Sequence, residues 1–165
     1  MPIPLIVVIE FTFAIVAYSL VARWYVVPLL EKHPLRTTLP PLILLHLMRP
    51  VSLWLLVPGF IVDADMPSSF ATGTAYGDLV ATVLALVAAI LVRRDAPGAI
   101  AAAWIFNVVG VADALKNCAA GMMAKAPSHM KAAVLVPAYG VPLLLVSHAL
   151  IFWLLIRRQR GVDRA

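Results

Sequence analysis

Charge is scarce in this chain: 13% of its 165 residues are charged and 63% are hydrophobic. A soluble domain carries about a quarter charged residues, so the composition excludes an ordinary water-soluble fold. Cysteine is nearly absent. The single Cys118 excludes an internal disulfide and any multi-cysteine metal site. No glycine-rich phosphate loop, paired His-Glu zinc helix or serine elbow occurs, so no motif stands behind an enzymatic role. Ser147 and His148 are neighbours and diverge on a helix, so they make no dyad. Three intramembrane acids, Glu10, Asp78 and Asp113, could form a cation site, yet no calcium or other metal spacing is present, and none is expected. The start lacks the basic segment of a cleaved signal peptide and the end, 162–165, lacks a lipidation box, so the first apolar run is expected to stay in the mature protein. The net charge of +5 lies in short basic segments beside apolar runs, which is the pattern of membrane topology and not of a nucleic-acid face.

What fills the chain is apolar sequence, with a mean hydropathy of +0.98. Five runs are long enough to cross a bilayer, at 4–27, 39–62, 70–92, 98–120 and 133–156. The first closes on Arg23-Trp24-Tyr25, a snorkelling arginine beside an aromatic belt, and a polar link, 31–36, follows it. Ser68 or Ser69 suits the N-cap of the third run, and Pro97 suits the first turn of the fourth. The expected fold is all-α: one domain, 1–165, built as an integral membrane bundle of five transmembrane helices. Arg23, Lys32, Arg36, Arg93, Arg94, Arg157, Arg158, Arg160 and Arg164 fall on one side, against Lys125 and Lys131 on the other. The positive-inside rule then predicts an outside N-terminus and a cytoplasmic C-terminus. No internal repeat appears, and five spans cannot be halved into inverted repeats.

Polar residues inside the runs sort by depth. A helix rises about 1.5 Å per residue, so Arg49 lies about 15 Å from the start of the second run, near the centre of a bilayer core about 30 Å thick. Asn107 shares that depth. Glu10, Asp78, Asp113 and Tyr139 belong to the outer third, and Lys116 lies close to the outer surface. His46 and His148 belong to the inner third, each seven residues from its cytoplasmic end. A charge at the centre costs at least about 2.5 kcal/mol, so Arg49 must be answered by another helix. Asp78 is within reach of an arginine arm. Such a pair is either a structural clamp between spans two and three or part of a site that holds an anion or sets the pKa of an acid.

Around Arg49 the sequence adds further polar groups. His46 sits on its helix face, and Pro50 deprives the carbonyl of His46 of a helical donor, which predicts a kink there. Thr74, Asp78 and Thr82 share a face on span three, where Ala75 and Gly77 permit close approach. On span four Asn107, Gly110, Ala114 and Asn117 share another, with Asp113 and Lys116 spaced for a local ion pair. A retinal Schiff base on Lys116 is discounted, because five spans fall short of seven. Tyr139 and His148 are half a turn out of phase, so they share a pocket only if Pro142 bends the helix. Two histidines at one depth could ligate a single b-type haem axially, or simply hydrogen-bond across helices.

Pro58-Gly59, Phe70-Ala71, Ala75-Tyr76-Gly77-Asp78-Leu79, Phe106-Asn107, Gly110, Asp113, Val141-Pro142 and Ser147-His148 together resemble a group of uncharacterised bacterial inner-membrane proteins. The resemblance implies a small multi-pass protein of the bacterial cytoplasmic membrane and brings no substrate or cofactor. The residues point to a small-ligand or proton-linked membrane protein, its site formed by His46, Arg49, Asp78 and Asn107, with Asp113 and Tyr139 towards the outer mouth. Two alternatives stand beside it. One is a haem b electron carrier using His46 and His148. The other is an accessory or scaffold subunit whose polar core is structural. The expected partners are the lipid bilayer and a second copy or a membrane subunit; no nucleic acid is expected.

Overall fold

The structure, a computed structural model, describes residues 2–159. Five helices are long and apolar enough to cross a membrane: α1 Ile3–Leu30, α2 Leu35–Leu56, α3 Ser68–Arg93, α4 Ala99–Met123 and α5 Ala132–Arg157. Among the described residues no strand forms; two isolated bridges, Pro58 to Val62 and Val62 to Met130, tie the loops at one end. Arg160, Arg164 and 162–165 lie outside the described residues.

Proline explains most departures from plain α-helix. Pro28 cannot donate to the turn before it, and α1 inserts a π turn, Ala22–Val26, then runs on to Leu30. At the start of α5, Pro137 lies in a second π turn, Val136–Gly140, ahead of the α-helical Val141–Gln159. The caps at α3 and α4 differ from expectation. Pro67 occupies the N-cap of α3 with no side-chain bond, so neither Ser68 nor Ser69 caps it. Gly98, at φ +79°, caps α4 and leaves Pro97 in the turn before it, a left-handed conformation that glycine adopts without strain.

α2 departs furthest. It begins at Leu35, inside the polar link, and ends at Leu56 instead of 62. Pro58 and Gly59, the latter at φ +81°, then turn the chain, and Val62 is buried among the loops. Its second half, Leu45–Leu56, is a 3-10 helix. Pro50 has no N–H for the carbonyl of His46, and 3-10 pairing gives that carbonyl the N–H of Arg49 instead. At the expected kink the helix changes type. In a 3-10 helix residues three apart eclipse one another. His46, Arg49, Ser52 and Leu55 form one buried row, while Met48, Val51, Trp54 and Val57 face outward.

α3 lies between α2 and α4, and α1 packs mainly on α5. Small residues set the spacing: Ala71, Ala75, Ala81, Ala85 and Ala88 of α3 are buried, as are Ala103, Gly110 and Ala114 of α4, which brings backbones close. One apolar cluster, including Leu39, Ile43, Phe106, Ile151 and Leu155, fills the half nearer the arginines. A smaller one, including Val62, Met66, Phe70 and Ala133, closes the opposite end. The polar residues occupy the layer between them.

Candidate functional site: a polar column between α2, α3, α4 and α5

The 3-10 row of α2 aims Arg49 at α3 and α4. Its side chain is buried, with Arg49 3% exposed overall. Nε donates to Asp78 Oδ1 at 2.8 Å, Nη2 to Asp113 Oδ2 at 2.6 Å and Nη1 to the carbonyl of Gly110 at 3.2 Å. Asp113 also accepts from Lys116 Nζ at 2.8 Å and Asn117 Nδ2 at 3.1 Å. The network holds two carboxylates, Asp78 and Asp113, against two cations, Arg49 and Lys116, so its formal charges cancel. Lys116 is exposed and carries the network to the surface.

Below Arg49 the two histidines meet. Their ring centroids are 4.1 Å apart, and both residues are wholly buried. Their partners fix their tautomers. Ser147 Oγ donates to the carbonyl of Leu42 at 3.3 Å, so it accepts from His46 Nε2–H at 2.8 Å. Asn107 Nδ2 donates to the carbonyl of His148 at 3.2 Å, which leaves Asn107 Oδ1 to accept from His148 Nδ1–H at 2.6 Å. The remaining nitrogens, His46 Nδ1 and His148 Nε2, are bare lone pairs, buried and without partners among the described residues. Thr74 Oγ1 and Asn117 Oδ1, higher in the column, are in the same condition.

Glycine makes the crossing possible. A Cβ at Gly110 would stand 2.7 Å from His148 Cε1 and 3.0 Å from its Nε2. One at Gly77 would meet Asp113 Oδ1 at 2.1 Å. Thr82 Oγ1 donates to the carbonyl of Asp78 at 2.8 Å and lies 3.4 Å from that of His46.

Five of the six expected site residues thus converge: His46, Arg49, Asp78, Asn107 and Asp113. Tyr139 does not. It is 42% exposed, in the π turn that packs on α1, beside Glu10. The three-acid grouping fails for the same reason, since Glu10 belongs to α1 and stays with Tyr139. Ser147 was missed as a partner for His46, because its contact crosses between helices and leaves no spacing in the sequence. A second grouping escaped sequence reading as well. Asp63, Asp65 and His129 converge at the loop end with ligand-type atoms within 4.8 Å of one another. Asp63 N–H donates to the carbonyl of His129 at 2.7 Å, and Lys131 Nζ lies 3.6 Å from Asp63 Oδ1, so the cluster carries its own positive charge.

The site does not suit an axial haem. Carbon atoms in contact sit about 3.5–4.0 Å apart, so imidazoles 4.1 Å apart at their centroids leave no layer for a porphyrin between them.

Residues 6–156 match the family described as Domain of unknown function (DUF8737). The chain belongs to this family. No curated protein and no solved structure matches the chain. The family match spans all five helices and every residue of the polar column.

Proposed function

We propose that this DUF8737 member is an integral protein of the bacterial cytoplasmic membrane, N-terminus outside, that binds a small hydrogen-bonding ligand in a proton-linked way at the junction of Arg49, His46 and His148. One observation carries the reading: of the five buried side-chain polar atoms without a partner among the described residues, all but Trp104 Nε1 belong to this column, two of them imidazole lone pairs. Buried polar groups in native proteins are nearly always paired, so a run of exceptions in one place marks a site that receives donors from outside the protein. The fixed charge of Arg49 disfavours a cation beside the imidazoles and favours a neutral donor, such as a hydroxyl group or water, with protons passing through the neutral histidines. The column reaches the surface at Lys116 and ends towards the arginine-rich end on an apolar layer that includes Leu39, Ile43, Phe106 and Ile151, so the ligand enters from the Lys116 side and a proton crosses to the other side only when that layer opens.

The test is proton movement across vesicles that hold the full chain and an entrapped pH dye. After an imposed pH step, wild-type vesicles should equilibrate faster than empty ones, and His148→Leu should return the rate to the empty level while helical content is retained. Equal rates for all three would overturn the proton-linked reading.

A second reading has its own support. Arg49 is matched by two carboxylates and a carbonyl, as a structural clamp of α2, α3 and α4 would be. It makes the protein an accessory or scaffold subunit, and it expects folded Arg49→Met/Asp78→Leu protein to lose nothing but some stability.

A further inference from the structure

At the arginine-rich end a groove of about 510 Å³ runs between the first turns of α2 and the last turns of α3. Three arginines, Arg36, Arg93 and Arg94, line it, and none is in an ion pair among the described residues. Its deeper wall is apolar, formed by Pro41, Leu44, Ala89 and Ile90. A second groove on the same end, of about 450 Å³, lies between α1 and α5; one arginine, Arg23, lines it together with one acid, Glu31, which accepts from Arg157 Nη1 at 2.5 Å. The first groove therefore gathers three arginines and no acid, whereas the second has one of each along its lining.

The backbone supplies an acceptor at the charged groove. Thr37 is followed by proline at both the third and the fourth position, Pro40 and Pro41. Neither has an N–H, so the carbonyl of Thr37 receives neither a 3-10 nor an α-helical bond. Thr37, Pro40 and Pro41 all line the groove. An unpaired carbonyl beside three arginines asks for a ligand with an anion and, next to it, a hydrogen-bond donor.

We propose that this groove binds one anionic glycerophospholipid with a hydroxyl-bearing headgroup. The phosphate sits among Arg36, Arg93 and Arg94, as arginine's planar fork suits phosphate oxygens. An acyl chain lies along Leu44, Ala89 and Ile90, and the headgroup hydroxyl donates to the Thr37 carbonyl. Basic pockets between transmembrane helices are suited to acidic headgroups because the bilayer delivers the ligand in the matching orientation.

Native mass spectrometry of the full chain, titrated with phosphatidylglycerol, phosphatidylcholine and phosphatidylmethanol, tests this. Phosphatidylglycerol should bind at least tenfold tighter than phosphatidylcholine. Arg36→Gln/Arg93→Gln/Arg94→Gln should weaken it on the order of a hundredfold, since each basic side chain near the surface contributes about a factor of five. Arg23→Gln, in the other groove, should leave it unchanged. Leu44→Trp, which keeps every charge and blocks the apolar wall, should weaken it as well. Phosphatidylmethanol, with the charge and no hydroxyl, should bind several-fold more weakly. Equal affinity for phosphatidylglycerol and phosphatidylcholine, or equal losses in Arg23→Gln and the triple variant, would overturn the site. Glycerol phosphate binding as tightly as the whole lipid would overturn the lipid assignment, and phosphatidylmethanol matching phosphatidylglycerol would overturn the role of Thr37.

Discussion

Arg49 and Asp113 meet across the bundle, Nη2 to Oδ2 at 2.6 Å. The bond joins α2 to α4 over the top of α3, whose Gly77 lies under it with no side chain. With Asp78 on the same guanidinium, three helices are fastened at one point in the low-dielectric layer.

Removing the cation alone should be the most damaging change at this point. Arg49→Met leaves Asp78 and Asp113 buried with only Lys116 to offset them, and losing one partner of a buried pair costs about 3–5 kcal/mol. Arg49→Met/Asp78→Leu leaves the balanced pair Asp113–Lys116, 2.8 Å apart, and should be more stable than the single variant. Unfolding titrations in mixed micelles measure both, and a double variant less stable than Arg49→Met would contradict the charge count.

Two glycines on one helix should respond oppositely to the same methyl group. At Gly77 a Cβ collides with Asp113, whereas at Gly73 nothing lies within 4 Å. Gly77→Ala should cost about 1–3 kcal/mol by overpacking, and Gly73→Ala should stabilise by about 0.4–1 kcal/mol through the unfolded state. Thermal melts of the two proteins side by side are sufficient to decide it.

The tautomers carry a separate expectation. Asn107→Leu strands the buried His148 Nδ1–H and Ser147→Ala strands His46 Nε2–H, each at about 1–3 kcal/mol. Histidine ¹⁵N spectra of the wild-type protein should show His46 protonated on Nε2 and His148 on Nδ1. Finding either ring in the other tautomer would undo the hydrogen-bond assignment.

Orientation is open to chemical labelling in cells. In a Cys118→Ala background, an impermeant maleimide should reach Ser128→Cys on intact cells and Lys32→Cys only after lysis. The reverse pattern would invert the bundle.

Much of this was legible in the chain itself. Five apolar stretches, their polar punctuation and the depth of Arg49, Asp78, His46 and His148 follow from length and hydropathy, because a bilayer imposes one thickness on every span. The ion pair between Arg49 and Asp78 follows too, since a charge at that depth demands a partner at a reachable height. Asp113 is expected at the outer mouth of the site with Lys116 as its ion partner, and its bond to Arg49 is not foreseen, because depth says nothing about which way a helix is turned. Tyr139, expected at the depth of Asp78, misses the site for that same reason.

Depth along the membrane normal, then, is written in sequence; rotation about each helix axis is not. The 3-10 half of α2 shows why. Its buried row, His46, Arg49, Ser52 and Leu55, keeps a period of three that arises only once the carbonyl orphaned by Pro50 takes a nearer donor and the helix tightens. Packing against small residues of α3 and α4 then chose which atoms meet: Asp113 with Arg49, Ser147 with His46, and one imidazole against the other.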